Sequence, residues 1–220
     1  MTAMNPEQLY DSFAVSGYGQ LLETRTRFND FKPDWVGTDT WCNLLGDDVN
    51  NLRHMDYTLG LAKRFVELQE IESNDLLVTA ATHDWGEAII GDIALPSKTE
   101  ADETREKFAY RRIAKEILRD EARDLSRIVM PILFDKSVPE ADMFRSIEYV
   151  GYTSTALKAG RVAIGLLHDF VDLDIPRHQR EELMGGLMAL NRAVEAHNLP
   201  TVRDYAKKYP AVRTMVSELL

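Results

Sequence analysis

The sequence predicts an all-α protein that folds as a single domain. Apolar residues recur mainly three and four positions apart, the spacing of a buried helix face, and no segment alternates convincingly as a half-buried strand does. No internal repeat or low-complexity linker divides the 220 residues. The hydrophobic content of 45% is enough for a substantial core, and the length fits one domain better than two.

Composition and charge exclude several classes of protein. Lys and Arg number 26 against 36 Asp and Glu, a net charge of −10 that disfavours a nucleic acid polymer as partner. Cys42 is the only cysteine, which excludes an intrachain disulfide and a zinc site built mainly from thiolates. The N-terminal segment lacks the basic and apolar regions of a signal peptide, and no apolar run approaches the roughly 20 residues that span a bilayer. We therefore expect a soluble cytoplasmic protein with no membrane partner.

The first strongly periodic segment begins close to His54. Between Met55 and Leu68, apolar residues recur at helical spacing behind a polar stretch rich in Asp and Asn, which predicts a helix with His54 at or near its start. A second helix is predicted after Ser73-Asn74-Asp75, because these side chains can cap it and the following residues are apolar around much of the helix. We expect this second helix to be buried and to end at Gly91.

Further helices are predicted through the second half of the chain. A charged helix begins near Ala101, after a loop over residues 92–98 marked by Pro96. The apolar residues expected on its inward face are Phe108, Ile113, Ile117 and Leu118. A later helix carries Glu148, and others are expected at about 161–171, 178–197 and 203–219. The residues expected to separate these helices are Gly151, Gly160, Pro176, Pro200 and Pro210.

A titratable cluster interrupts the apolar second helix at His83-Asp84. An imidazole and a carboxylate removed from water each need a partner, and a divalent cation can serve both. Helical spacing returns Glu87 to the side of the helix that carries the pair, and Asp92 follows Gly91 where the chain can fold back. A His-Asp pair alone also occurs in caps and hydrogen-bonded cores, but an apolar helix has little structural use for four such residues.

The segment HDWGEAIIGDIALPSK at residues 83–98 resembles the HD-domain phosphohydrolases, and within them the 5′-deoxynucleotidase branch. The family pattern is an upstream His, then His-Asp, then a distant Asp, and this chain offers His54 followed by His83-Asp84. In the nucleotidase branch a Glu and a Gly-Asp-[Ile/Leu] turn follow, leading to Pro and Lys. The resemblance covers about residues 50–155. It implies a single HD-domain helical bundle over residues 1–220, with an N-terminal helical and loop extension and additional C-terminal helices.

The resemblance also implies a set of metal ligands. Where the family has its last Asp, this chain has Glu148, three residues after Arg145. The implied ligands of one divalent ion are His54, His83, Asp84 and Glu148. Two imidazoles and two carboxylates suit Co²⁺, Mn²⁺, Zn²⁺, Fe²⁺ or Ni²⁺. Asp142 is an alternative fourth ligand, and Glu148 could instead form a buried ion pair with Arg145.

Substrate and catalytic residues follow from the same resemblance. Family members carry an Arg and an aromatic residue before the first His, for which Arg27-Phe28 is the counterpart. Arg25 competes for this role, and the basic TRTR stretch could also be merely solvated. Glu87 is the candidate proton relay and Asp92 the residue that orients water or a sugar hydroxyl, although the two roles could be exchanged. Lys98 is the candidate phosphate ligand.

The implied activity is metal-dependent release of phosphate from deoxynucleoside monophosphates. A deoxynucleoside triphosphate triphosphohydrolase is the first alternative, and its extra cations would be Lys98, Arg105, Arg111, Arg112 and Lys115. A catalytically inactive binding or regulatory protein is the second. We expect a nucleotide substrate and a homo-oligomer, a dimer or higher. A further apolar stripe is either core or a dimer seam and consists of Leu183, Met184, Leu187, Met188 and Leu190.

Overall fold

A computed structural model of the protein describes residues 4–93, 98–168, 170–171 and 173–219. Within these ranges every regular element is helical, apart from one antiparallel bridge between Thr26 and Asn50. The predicted all-α fold is therefore confirmed. The helices are α1 (Pro6–Ala14), α2 (Gly17–Glu23), α3 (Thr38–Leu45), α4 (Asn51–Gln69), α5 (Asn74–Thr82), α6 (Glu87–Ile90), α7 (Glu100–Leu118), α8 (Ala122–Val129), α9 (Pro139–Leu167), α10 (Arg177–Lys208) and α11 (Pro210–Leu219).

Shorter helical turns connect several of these helices. In the described part of the chain these are 3₁₀ turns at Asn29–Phe31, Asp47–Val49 and Arg119–Glu121, and a π-helical turn at Met130–Phe134. None of the described helices is long and apolar enough to cross a membrane.

The predicted helix starts are set by capping side chains. The Asn50 side chain accepts hydrogen bonds from the first backbone N–H groups of α4, which puts His54 in the first turn, as predicted. Ser73 caps α5 in the same way, also as predicted. Thr99 and Asp102 form a reciprocal capping box at the start of α7, one residue before the predicted start at Ala101. Side chains near the helix ends therefore determine where these helices begin.

The second predicted helix is divided in the structure. Helix α5 ends at Thr82, the chain turns through residues 83–86, and the short α6 ends at Gly91 as expected. Gly86 lets this segment pack closely on α7, because a Cβ atom there would lie 2.8 Å from the carbonyl oxygen of Glu106. The His-Asp pair lies in the turn between α5 and α6 and not within a helix.

Three expected helix breaks are wrong. Helix α9 runs unbroken through Gly151 and Gly160, and α10 continues through Pro200. Packing accounts for Gly160, since a Cβ there would lie 3.1 Å from Asn191 Nδ2, whereas one on Gly151 would make only ordinary contacts with Leu61 and Tyr57. Pro200 costs α10 a backbone hydrogen bond, but α10 packs along α9, and this tertiary contact holds the helix together. The breaks at Pro176 and Pro210 are confirmed, at the start of α10 and of α11.

Phe108 does not point inward as expected. Its side chain is 65% exposed, whereas Ile113 is buried and Ile117 and Leu118 are partly buried. The inward face of α7 includes Glu106 and Tyr110, each two residues from Phe108 and so on the opposite side of the helix. Pro96, the proline of the predicted loop, lies outside the described residues.

Three apolar clusters form the core of the described residues. One joins α4, α5, α9, α10 and α11, a second joins α1, α2 and α4 to α8, and a third joins α3, α9 and α10. The stripe on α10 belongs to the third cluster, with Leu183, Leu187 and Leu190 fully buried against α3 and α9. Of the two interpretations of this stripe, the structure supports core. Helices α4 and α5 contribute to the first two clusters, and the candidate metal ligands lie where these helices meet.

Substitutions at two adjacent glycines of α10 can test how closely the segment around Phe31 packs on that helix. A Cβ on Gly186 would collide with the carbonyl oxygen of Phe31, whereas one on Gly185 would meet nothing within 4 Å. We expect Gly186→Ala to lower the free energy of unfolding by about 1–3 kcal/mol, the usual range for forced overpacking. The matched control Gly185→Ala should raise it by up to about 1 kcal/mol, because alanine favours helix. Chemical denaturation measures both, and a gain in both variants would contradict the close contact with Phe31.

Candidate metal centre

Three buried side chains converge between α4 and α5. His54 comes from the first turn of α4, and His83 and Asp84 lie in the turn that follows α5. One potential ligand atom from each residue lies within 4.8 Å of those of the other two. The sequence separates His54 from the pair by a whole helix, but the packing of α4 on α5 brings them together. This arrangement could hold a metal ion.

Distances within this group leave little room for anything larger than an ion. His83 Nε2 lies 3.2 Å from Asp84 Oδ1, and His54 Nε2 lies 4.0 Å from Asp84 Oδ2. The two imidazole rings meet edge to face with centroids 5.2 Å apart. Nitrogen and carboxylate oxygen donors of this kind suit a first-row transition metal.

Unpaired buried atoms provide an independent test of whether the group fits a cation. Nδ1 of His54, Nε2 of His83 and Oδ2 of Asp84 are buried and have no hydrogen-bond partner in the described part of the chain. Leaving a buried polar atom unpaired costs about 1–3 kcal/mol. All three candidate ligands carry such an atom, and a bound cation would satisfy ligand atoms of this kind. The residues therefore fit a metal ion.

The hydrogen bonding of His83 leaves its other nitrogen available for a metal. Its Nδ1 lies 2.9 Å from the carbonyl oxygen of Ala80, and a carbonyl can only accept, so Nδ1 carries the proton. In the neutral ring Nε2 then has a free lone pair, the form that binds metals. His54 Nε2 lies 3.3 Å from the hydroxyl of Thr58, which could donate or accept and so does not fix the tautomer of His54.

In two of the three residues, the shift in pKa favours the protonation state in which the side chain can bind a metal. Burial, together with the positive charge of Arg27, lowers the pKa of His54 well below its usual value and keeps the ring neutral. Burial alone would raise the pKa of Asp84, but His83, His54 and Arg27 lower it by more. Burial lowers the pKa of His83, but Asp84, Glu148 and the hydrogen bond to Ala80 together raise it by more. Metal binding would therefore have to displace a proton from His83 at low pH.

Arg27 faces this group, whereas Arg25 does not. The guanidinium of Arg27 donates to the Tyr152 hydroxyl at 3.4 Å and lies 5.3 Å from the centroid of that ring and 5.6 Å from that of Phe28. Phe28 adopts a left-handed backbone with φ of 61°, an uncommon conformation for a bulky residue. Arg25 Nη1 instead donates to the backbone carbonyl of Glu87 at 2.6 Å. Of the two arginines, Arg27 is therefore the one whose charge acts on His54 and Asp84.

Glu87 lies buried beside the metal-binding group. Its Oε2 accepts a hydrogen bond of 3.2 Å from Asn51 Nδ2. Burial, followed by the negative charges of Asp84 and Asp92, raises the pKa of Glu87 well above its usual value. Its carboxyl group is thus neutral over a wider pH range than an exposed one. Asp92, in contrast, is exposed just past the end of α6.

Lys98 is engaged by a residue that the motif does not contain. Its ammonium group forms an ion pair with the buried carboxylate of Glu106 on α7. Burial raises the pKa of Glu106, while Lys98 opposes that rise. The positive charge of Lys98 is therefore already paired with the carboxylate of Glu106.

Glu148 lies near the group without joining it. Its charge acts on His83 and Asp84, but its oxygens are outside the three-residue set whose ligand atoms lie within 4.8 Å. Burial raises the pKa of Glu148 and His83 lowers it. Among the described ion pairs of 4 Å or less, none joins Glu148 to Arg145, so the alternative ion pair is not formed.

Asp142, the alternative fourth ligand, has other partners. It forms an ion pair of 2.5 Å with Lys208 and accepts a hydrogen bond of 2.7 Å from the Tyr209 hydroxyl. These contacts link α9 to the end of α10, and Asp142 is not in the group that could hold a metal.

Substituting Glu148 tests whether it completes the ligand set. We expect Glu148→Gln to weaken metal binding about 10-fold or more, with recovery at high metal concentration, because the amide keeps an oxygen but loses the negative charge. Glu148→Asp should have a milder effect. Metal titration and melting temperature are measured on the same variants, with Asp142→Asn as the control that should keep its metal. Unchanged metal affinity in Glu148→Gln would remove Glu148 from the ligand set.

Three residues of the site were not anticipated from the sequence. Asn51 lies three residues before His54 and Tyr152 four after Glu148, so helical spacing from the predicted ligands could have identified both. Glu106 gave no local signal, because its contact with Lys98 depends on how α7 packs.

Comparisons with known proteins add nothing to this description. No protein-family model, curated protein or solved structure matches the chain. The interpretation of the site therefore depends on its own geometry and on the resemblance of the motif at residues 83–98.

Proposed function

We propose that the protein is a metal-dependent phosphohydrolase that releases phosphate from deoxynucleoside monophosphates. The observation that carries this proposal is the convergence of three buried ligand residues, each with an unpaired atom, on the same site as Glu87 and Arg27. A metal-binding group, a neutral acid and a cation are the parts that hydrolysis of a phosphate ester requires. The resemblance of residues 83–98 to the 5′-deoxynucleotidase branch supports the same class of substrate.

His54, His83 and Asp84 would hold the metal ion, with Glu148 as fourth ligand. The mixed nitrogen and oxygen donors favour Co²⁺, Mn²⁺, Zn²⁺, Fe²⁺ or Ni²⁺. When bound, such an ion supplies Lewis-acid stabilisation of the phosphoryl charge and activation of water.

Arg27 would bind the phosphate. Its guanidinium has five N–H donors, and among the described residues the hydrogen bond to Tyr152 uses one of them. The fork of the remaining donors matches two oxygens of a phosphate. The Phe28 and Tyr152 rings, which lie beside this guanidinium, offer apolar faces to the sugar or base.

Glu87 would donate the proton that the departing nucleoside oxygen needs. An alkoxide is a poor leaving group, so its protonation as the bond to phosphorus breaks lowers the barrier. The raised pKa of Glu87 keeps it protonated where an ordinary glutamate has lost its proton. Asp92, which is exposed just past the end of α6, would orient water or a sugar hydroxyl.

The distribution of cations favours a monophosphate over a triphosphate. Of the five cations considered for the additional phosphates, Lys98, Arg105 and Arg112 are paired with acids. The other two, Arg111 and Lys115, are exposed on α7. These observations support the nucleotidase over the triphosphohydrolase.

A nucleotide panel tests the proposed function. Metal-free protein is supplied in turn with each candidate ion and with deoxynucleoside mono- and triphosphates, and phosphate and tripolyphosphate are separated by ion chromatography. We expect phosphate from the monophosphates. Tripolyphosphate from the triphosphates would favour the triphosphohydrolase, and no product with any ion would favour the inactive binding protein.

A further inference from the structure

We propose that Asn51 is a positioning residue that holds one carboxyl oxygen of Glu87, so that the other oxygen delivers the proton. This inference rests on the proposed function. The Asn51 Nδ2 group donates to Glu87 Oε2 at 3.2 Å, and the Asn51 residue is fully buried. An amide N–H can only donate, so Oε2 must accept. Among the described hydrogen bonds none holds Oε1, which is therefore the oxygen left to exchange a proton with the substrate.

Neither helix capping nor a hydrogen bond to another part of the fold explains why an amide occupies position 51. Asn50, and not Asn51, caps α4, because the Asn50 side chain accepts from Leu52 and Arg53. Glu87 is the only hydrogen-bond partner of the Asn51 carboxamide among the described residues, and the Oδ1 atom of Asn51 is buried and unpaired. A leucine of similar shape would fill the space without burying polar atoms. A buried amide kept for this single contact points to a role in controlling Glu87.

The backbone around Asn51 and Glu87 makes the contact rigid. Asn51 N donates to the carbonyl of Arg25 at 3.2 Å, and the side chain of Arg25 donates to the carbonyl of Glu87 at 2.6 Å. Glu87 is consequently held at its backbone and at its side chain by residues that are bonded to each other. Asn51 also lies one helical turn before His54, which ties the carboxyl group to the turn that carries a candidate metal ligand.

The proton that Asn51 would direct comes from Glu87 and goes to the leaving oxygen of the nucleoside. Water oxygen bonds to phosphorus, the bond from phosphorus to the nucleoside oxygen breaks, and the proton on Glu87 Oε1 passes to that oxygen to give the alcohol. A proton lost by the attacking water returns Glu87 to its neutral form. A carboxyl group free to rotate would present the wrong oxygen for part of the time, which lowers kcat more than substrate affinity.

The test compares two leaving groups in Asn51→Leu. A deoxynucleoside monophosphate needs a proton on its leaving oxygen, whereas the nitrophenolate released from p-nitrophenyl phosphate does not. We expect kcat for the nucleotide to fall about 10-fold or more, with KM, metal content and the nitrophenyl ester rate within about threefold of wild type. Adding Asn51→Leu to Glu87→Gln should cause no further loss, because both changes remove the same function. If Asn51→Leu fails to fold, Asn51→Asp, which keeps the shape but replaces the donor, should show the same selectivity.

The control is Asn191→Leu, which removes a comparable hydrogen bond of 2.9 Å to the Ala156 carbonyl between α10 and α9. It should lower the melting temperature and leave both rates unchanged. An unchanged nucleotide rate in Asn51→Leu, or an equal loss on both esters, would overturn the positioning role alone. A wild-type protein that hydrolyses neither ester with any candidate ion would refute the proposed function and this role with it.

Discussion

Asp84→Ala should abolish both metal binding and phosphate release. Asp84 supplies the only negative charge of the three converging residues and lies close to both imidazoles. Its lowered pKa keeps it ionised at any pH where the protein would work. We expect metal content after dialysis to fall from about one ion per chain to near zero. Turnover should fall more than about 100-fold, since even residues that only support metal ligands cost about 10- to 100-fold.

The matched control for this variant is Asp48→Ala. Asp48 is as buried as the ligands, but it pairs with Lys158 and accepts a hydrogen bond from Thr155. Its loss should destabilise the fold and leave the metal content of the folded protein unchanged. His54→Ala should behave like Asp84→Ala. Full metal occupancy and activity in both ligand variants would disprove the site.

Glu87→Gln should retain metal and substrate binding while turnover falls about 100-fold or more, the range for loss of general acid-base catalysis. The amide keeps the shape of the side chain and an oxygen that can accept from Asn51, but it has no acidic proton to give. The acid form of Glu87 is complete at low pH and is lost as pH rises through its raised pKa. Wild-type turnover should therefore decline on the alkaline side.

Measurements of kcat, KM and metal content on Glu87→Gln decide the role of this residue. Asp92→Asn is the companion variant, because Asp92 could exchange roles with Glu87. Wild-type turnover in Glu87→Gln together with a large loss in Asp92→Asn would transfer the proton relay to Asp92. Loss of metal in Glu87→Gln would instead make Glu87 a ligand.

Local sequence signals account for the parts of the fold that were predicted correctly. The starts of α4 and α5 depend on Asn50 and Ser73, whose side chains bond to the first N–H groups of their own helices. The continuity of α9 through Gly151 and Gly160 was not predictable, because α9 packs on α4 and α10, which are distant in sequence, and Gly160 accommodates Asn191 of α10. Contacts between helices determine whether α9 continues through these glycines, and the periodicity of a single helix gives no information about such contacts.

Some residues of the candidate site could likewise be predicted from the sequence, whereas others required the structure. The motif identified His83 and Asp84, and the resemblance identified His54, before the packing of α4 on α5 was known. The choice of Arg27 over Arg25 required the structure, because two residues of the same type lie two positions apart in an irregular segment. The ion pair of Lys98 with Glu106 was equally inaccessible, since it joins a loop to a helix face.

Restoring metal to the wild-type protein tests the central claim most directly. Protein freed of metal by a chelator is titrated with Mn²⁺ or Co²⁺, and phosphate released from a deoxynucleoside monophosphate is measured together with bound metal. We predict no release from the metal-free protein and full activity at about one ion per chain. Release that persists without metal, or a protein that binds an ion but cleaves no monophosphate, would contradict the proposed function.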